Sequence, residues 1–413
     1  MRFQFIYPEW PKLHGQIPFN LPPLGIIQAA ACVPEDVDVI VRNENVESVD
    51  FEGSYDLIGI SIMLTCQAPR AYELARLFKE KGVTVVLGGL HVALCPDEAA
   101  EHADSVVVGE GEGLIEVMVE DFRREQLKPR YQRTEGFADI TCLPDPRRDL
   151  HDKKRLYTYK GWELVDLVET SRGCRYNCYP CCTPFLGGRV HRKRPIDHTL
   201  RDMESCSDLL FVVDNSLEQD EEYQKELFRA MASLDKYWVS HPISPKPEVL
   251  KLAREAGCWY QYHAVYTISD KIKDRIKMFH DHGIAVEGTI LLGLDDHTED
   301  FILRFIDFLL EIDLDLAEFT VLTPFPHTRV YADMEAEGRI IDRDWSHYNA
   351  GNVVFKPRQM TPDRLQELFH EAWSRFYADE PQHIMMSKLF WTVAKESLRR
   401  RKGLARTGIS QSS

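Results

Sequence analysis

Hydrophobic positions in the first 126 residues alternate between two periods. Leu57-Ile58-Gly59-Ile60 and Thr84-Val85-Val86-Leu87 are continuous apolar runs, the pattern of strands covered on both faces. Between them, Ala71, Leu74, Ala75 and Phe78 fall at i, i+3, i+4 and i+7, which predicts an amphipathic helix. Strand-like runs at Arg2–Pro8, Val37–Asn43, Leu57–Met63, Thr84–Gly89 and Ser105–Glu110 complete an alternation of strand and helix. That order predicts a doubly wound, five-stranded parallel sheet over residues 1–126. Ligands of such sheets bind beyond the C-terminal strand ends. The loops there carry Ser61 and Thr65, Gly88-Gly89-Leu90-His91, and Gly109-Glu110-Gly111-Glu112.

From residue 127 to about 160 no period is sustained, and Pro129, Pro144 and Pro146 stand among charged residues, so this stretch is read as a linker. Six further strand-like runs follow within residues 161–340: Leu164–Glu169, Asp208–Asp214, Tyr237–His241, Trp259–Tyr266, Ala285–Gly293 and Leu316–Thr323. Helical stretches such as Lys246–Gly257 and Phe301–Leu310 separate most of them. Six βα units predict a partial (β/α)6 barrel with its chemistry at the C-terminal strand ends. Residues 341–413 form a mainly helical extension, with a helix expected over Arg364–Tyr377.

Composition narrows the function classes. The formal net charge of −16 argues against general binding of nucleic acid through its phosphates. No run reaches the roughly eighteen apolar residues of a membrane span, and Met1–Pro8 reads as a strand rather than a secretory signal. Ten mostly scattered cysteines fit a reducing, cytoplasmic setting better than a disulfide framework.

The exception to that scatter is Ser171-Arg172-Gly173-Cys174-Arg175-Tyr176-Asn177-Cys178-Tyr179-Pro180-Cys181, just after the first barrel strand. Cys174, Cys178 and Cys181 form a C-x₃-C-x₂-C array that a short loop can fold onto one metal cluster. A [4Fe–4S] cube held by three thiolates keeps one iron open for a small molecule. Zinc is the other reading, but it prefers four ligands in separated pairs, and no second pair is present. Arg189, Arg192 and Arg194 follow the array, suited either to a carboxylate or phosphate or to a surface strand.

With these motifs in order, the chain resembles the cobalamin-binding-domain radical S-adenosylmethionine (SAM) enzymes over nearly its whole length. The resemblance rests on Pro22-Pro23-Leu24-Gly25, Ser61-Ile62-Met63-Leu64, Gly88-Gly89-Leu90-His91 and Val107–Glu112 in the first part. In the second it rests on the cysteine array, Ala256-Gly257-Cys258, Gly288–Gly293, Leu322–Pro326, Glu337-Gly338-Arg339-Ile340 and Trp345. It implies three cofactors: a [4Fe–4S] cluster, SAM chelated to its open iron, and cobalamin in the first domain. One electron cleaves SAM to a 5′-deoxyadenosyl radical, which abstracts hydrogen from an unactivated carbon, and cobalamin usually delivers a methyl group. A flavodoxin- or ferredoxin-type reductant and a small-molecule substrate are implied as partners.

The resemblance also assigns candidate residues. Ser61, Thr65, Gly88, Gly89, Gly109, Glu110, Gly111 and Glu112 fall to cobalamin, with plain sheet turns as the alternative. Asp214 falls to SAM or the substrate, and Gly288, Ile290 and Gly293 fall to SAM, with strand ends, exit turns and caps as the alternatives. Tyr262, His263, Tyr266 and His327 near predicted strand ends are candidate proton donors by the chemistry of their side chains, with a satisfied packing role as the alternative for each. Departures from the family pattern are equally specific. Pro180 precedes the third cysteine where an aromatic residue is usual, and Tyr266-Thr267 replaces an acidic-serine pair. Asn215 replaces the second of two aspartates, His327 replaces a glycine, and no Asp-x-His-x-x-Gly signature supplies a histidine beneath cobalt. Methylation at an unactivated carbon is the leading expectation. The alternatives are a radical rearrangement, cyclisation or ring contraction without methyl transfer, and a non-catalytic iron–sulfur or cobalamin sensor.

Overall fold

The computed structural model describes residues 1–11, 21–151, 158–159, 162–163 and 165–401. Leu164, expected to begin the first barrel strand, and the residues after Arg401 lie outside the described residues.

The first sheet contains β1 (Arg2–Tyr7), β2 (Asp38–Asn43), β3 (Leu57–Ser61), β4 (Thr84–Gly88), β5 (Ser105–Val108) and β6 (Arg130–Gln132). All pairs are parallel, in the order β2-β1-β3-β4-β5-β6. Side-chain alternation divides the apolar residues between two faces. Phe3 and Phe5 pack with Ile26, Ile27, Met118 and Val119 from the helices Leu24–Ala31 and Ile115–Arg123. Ile6, Ile58 and Ile60 pack on the other side with Leu74, Ala75 and Phe78 of the helix Ala68–Glu80. The sheet is thus doubly wound, as expected, but with a sixth strand from the stretch read as a linker. Three residues carry no detectable period. They are held by Tyr131, whose ring is buried and whose hydroxyl donates to Asp121 Oδ2 at 2.9 Å.

The second sheet is β7 (Asp166–Val168), β8 (Leu209–Val212), β9 (Tyr237–Ser240), β10 (Cys258–Val265), β11 (Ala285–Leu292) and β12 (Leu316–Val321). Its strands are parallel and adjacent in chain order, the open barrel predicted by six βα units. Outward residues such as Leu210, Val212, Val286, Ile290, Phe319 and Val321 join the helices in one large core. Inward residues form a second cluster of Val165, Phe211, Tyr237, Val239, Trp259, Tyr260, Ala285 and Leu316. The pairing of β9 with β10 shifts register between Trp238 and Val239, which skips Trp259 and puts both Trp259 and Tyr260 in the inner cluster.

The extension closes the barrel in two places. Helix Pro362–Phe376 lays Leu365, Leu368, Phe369, Ala372 and Trp373 on the outer core. Helix Gln382–Arg401 inserts Leu389, Phe390 and Val393 among the first residues of the strands, which plugs the N-terminal end of the lumen. The mouth at the C-terminal end stays open, where Ala264 and Tyr266 are exposed. Trp345 joins the extension to the first domain: its indole N–H donates to Glu98 at 2.9 Å, and its ring meets His91 edge-on.

Candidate active site at the barrel mouth

The cysteine loop leaves β7 and is closed at its base by a short antiparallel pair, Ser171–Arg172 with Arg192–Lys193. Gly173 turns the chain into the loop at φ +82°, and a Cβ there would lie 2.1 Å from the Val190 carbonyl oxygen. Only glycine fits both the angle and the space. Cys174 N–H donates to the Gly188 carbonyl at 3.1 Å, and Cys181 N–H to the Cys178 carbonyl at 3.2 Å. Cys178 and Cys181 are exposed and Cys174 is half-buried. Burial, then the neighbouring Cys181 and Cys174, raises the Cys178 pKa. Cys182 turns inward, where burial pushes its thiol up to about 12.

Two buried side chains hold this loop in place. The Asp214 carboxylate accepts from Thr170 N–H at 2.7 Å, from the Thr170 hydroxyl at 2.6 Å and from the Ser171 hydroxyl. The resemblance implies a SAM or substrate role for Asp214; here its oxygens are occupied beneath the loop, and it is 2% exposed. Gln219 donates to the Gly173 carbonyl at 3.0 Å and accepts from Arg175 N–H at 3.1 Å. Gln219 carries no motif, so nothing in the chain pattern marked it.

In the first domain, the β3, β4 and β5 loops meet at one edge. Ser61 ends β3 and Gly88 ends β4, and the two are register partners. Gly89 has φ +104°, and a Cβ there would sit 2.6 Å from the Ile62 carbonyl oxygen, so the loops approach too closely for any side chain. A Cβ at Gly109 would have nothing within 4 Å, which leaves open space at the same edge. Thr65 departs from expectation. It is buried, and its hydroxyl lies 3.4 Å from His91 Nδ1, inside the domain rather than facing a ligand. A Cβ at Gly111 would strike Ile115 at 2.8 Å, so this glycine serves packing against the helix.

Glu110 and Glu112 also depart from their expected cofactor role. Glu110 pairs with Arg192 at 2.6 Å and with Arg172 at 3.3 Å, and Glu112 pairs with Arg172 at 2.7 Å. Both carboxylates reach into the barrel domain instead of toward a ligand. Of the three arginines after the array, Arg192 takes this carboxylate and Arg194 takes Asp202 at 3.2 Å, while Arg189 is exposed and donates to the Tyr176 carbonyl at 3.3 Å.

Strand alternation decides which barrel candidates face the lumen. Tyr262 and Tyr266 share the inward face of β10 and its exit, and Tyr266 is 56% exposed at the mouth. Tyr262 stacks on Phe211 at 5.3 Å, with His241 alongside at 5.8 Å. Burial pushes His241 down to about 4 and raises Tyr262, so both are neutral at pH 7. Ile290 points outward into the helix-covered core, contrary to a SAM contact through its side chain. Gly288 is outward too, where a Cβ would meet Leu314 at 2.6 Å. Gly293 turns at φ +89° under Leu365, and a Cβ there would stand only 2.7 Å from that side chain, so the position is closed to other residues. His327 is exposed in a turn with φ +58°, the conformation its expected glycine would adopt freely.

Alternation also brings together two carboxyls that belong to no motif. Glu287 on β11 and Glu318 on β12 both lie on the inward face, as register neighbours of Tyr262 and Thr289. They hydrogen-bond to each other, and Glu287 is 3% exposed. Burial, then the Glu318 charge, holds the Glu287 pKa well above the usual carboxylate range. A carboxyl raised on folding loses stability as pH rises from its unfolded pKa to its folded one, because the unfolded chain gives up the proton first. Glu287→Gln is therefore expected to raise the melting temperature, more at pH 8 than at pH 5. Thermal unfolding at the two pH values checks this.

The donor chemistry fits the implied groups. Three thiols on one anchored loop suit an iron–sulfur cluster. The side-chain-free approach of Gly89 to Ile62, beside open space at Gly109, suits a large flat ligand on the first domain. The B12 binding domain model matches residues 13–119. The chain is similar to the bacteriochlorophyllide d C-12(1)-methyltransferase of Chlorobaculum tepidum, 28% identical over 382 residues that cover 86% of this chain and 82% of the relative. It is similar to the hopanoid C-2 methylase of Rhodopseudomonas palustris, 24% identical over 418 residues, with 92% and 74% covered. In fold it is similar to the radical SAM methyltransferase TsrM from Kitasatospora setae, solved with cobalamin and a [4Fe–4S] cluster. That match has a TM-score of 0.62 at 17% identity and covers 89% of this chain and 85% of TsrM. An anchored three-cysteine loop at the mouth of a six-stranded barrel, behind a sheet that matches the B12 binding domain, makes this chain similar to cobalamin-dependent radical SAM methyltransferases.

Proposed function

We propose that this protein is a cobalamin-dependent radical SAM methyltransferase that methylates an unactivated carbon of a small molecule. The observation that carries the reading is the position of the cysteine loop. It follows the first barrel strand and is held by ion pairs to the glycine-rich edge of the first domain. Bound there, the cluster, SAM and cobalamin would supply the reducing electron, the hydrogen-abstracting group and the methyl group.

The chain's own residues would do the rest. Cys174, Cys178 and Cys181 hold the cluster, on a loop fixed by Asp214 and Gln219. Gly88, Gly89 and Gly109 give a ligand close access to the backbone of the first domain. Leu389, Phe390 and Val393 plug the lumen from below and so exclude water from that end. Tyr262, Tyr266 and Glu318 face the substrate space, where their hydroxyl and carboxyl groups orient it or hold a proton. A flavodoxin- or ferredoxin-type donor supplies electrons at the exposed side of Cys178 and Cys181. Among the described residues no helix is long and apolar enough to cross a membrane.

Product analysis tests the reading. Anaerobically reconstituted protein with hydroxocobalamin, SAM and a chemical reductant is expected to form both S-adenosylhomocysteine and 5′-deoxyadenosine. The first reports methyl transfer and the second radical formation. 5′-Deoxyadenosine alone would favour a rearrangement or ring-contraction enzyme, and neither product would favour a sensor.

A further inference from the structure

The Gly109–Glu112 loop touches both halves of the proposed reaction centre. It begins at the ligand edge of the first domain and ends on Arg172, two residues before Cys174. Around it, Glu110, Glu112 and Glu169 meet Arg133, Arg172 and Arg192. Arg172 donates from Nε to Glu169 at 2.7 Å and from a terminal nitrogen to Glu112 at 2.7 Å. Arg192 donates to Glu110 at 2.6 Å, to the Ala138 carbonyl at 2.9 Å and to the Gly187 carbonyl at 2.9 Å. Arg133 donates to the Glu110 carbonyl at 2.7 Å and to the Glu112 carbonyl. Ala138 N–H completes the set by donating to Glu110 at 2.7 Å. The Glu110 side chain is 4% exposed.

Such a network is a poor device for stability, since desolvating its charges offsets their attraction. Its merit is geometry: forked guanidinium–carboxylate pairs fix both distance and direction. Here the two surfaces so fixed are the ligand edge of one domain and the cluster loop of the other. We propose that Glu110, Glu112, Arg172 and Arg192 act as an interdomain coupler that sets the distance from the first domain's ligand to the cluster and so ties radical formation to methyl transfer. The assignment to methyl transfer rests on the function proposed above; the positioning does not.

The test uses the full reconstituted protein and its Glu110→Gln and Glu112→Gln variants, which keep side-chain volume. The control is Glu44→Gln, which breaks a pair with Arg70 inside the first domain, 3.0 Å apart at Arg70 Nε. Pulsed electron paramagnetic resonance reads the separation of cob(II)alamin and the reduced cluster. One narrow distance is expected in the parent and the control, and a broadened one in both coupler variants. The ratio of 5′-deoxyadenosine to S-adenosylhomocysteine is expected to rise about tenfold in the coupler variants alone. Unchanged distance and ratio in folded, cluster-loaded variants would overturn the proposal. If the parent binds no cobalamin, the functional reading fails, and hydrogen exchange decides the coupler. Exchange across residues 173–190 is then expected to quicken in Glu112→Gln but not in Glu44→Gln, and equal exchange in both would reject it.

Discussion

Replacing Gly173 with alanine is expected to abolish cluster assembly while leaving most of the barrel folded. The new Cβ would stand 2.1 Å from the Val190 carbonyl oxygen and 2.9 Å from that of Gly187. Both atoms are backbone, and the Gly187 carbonyl is held by Arg192, whose strand pairs with Ser171–Arg172 at the base of the loop. The left-handed angle adds roughly 1–2 kcal/mol for any residue with a Cβ. The loop must therefore open, and the anchored path that carries the three cysteines is lost. Iron and sulfide per chain after anaerobic reconstitution, together with the visible absorption of the cluster, check this. Near-parent cluster content in Gly173→Ala would refute the role given to this turn.

Asp214→Ala is expected to have the next largest effect, through the root of the same loop. Three donors lose their acceptor at once: the Thr170 amide, the Thr170 hydroxyl and the Ser171 hydroxyl. A buried donor left without a partner costs about 1–3 kcal/mol. Hydroxyls can turn to other acceptors, so the expected loss is about 3–5 kcal/mol rather than the full sum. Asp214→Asn keeps an acceptor oxygen and should lose less. Denaturant unfolding of the three proteins measures the order, and cluster content should follow it. If Asp214 instead served only SAM, as its place after a barrel strand suggested, stability would hardly change.

Both predictions concern residues that the chain pattern marked for another reason or not at all. The fold was legible because apolar strands in parallel sheets leave continuous runs, such as Leu57–Ile60 and Thr84–Leu87, and helices leave spaced ones. The cysteine spacing was legible because it is local. What escaped was whatever depends on a partner distant in sequence. Glu110 and Glu112 looked like ligand-loop residues, and the arginines that neutralise them lie 60 to 82 positions away. Gln219 meets Gly173 from 46 positions away. Glu287 and Glu318 carry a local trace, one charge inside each of two apolar strands, but only the pairing of those strands brings the two together. The edge strand at Arg130–Gln132 was hidden because three residues hold no period, and its anchor is the single ring of Tyr131.

The central claim is that Cys174, Cys178 and Cys181 hold a cluster with an open iron that takes SAM. Electron paramagnetic resonance of the anaerobically reduced cluster, recorded while SAM is titrated in, tests it most directly. The account predicts a saturable change in the g-values of the reduced [4Fe–4S] signal, and no such signal in a Cys178→Ala variant. A reduced cluster whose spectrum stays the same at saturating SAM, or one that assembles normally without Cys178, would contradict it.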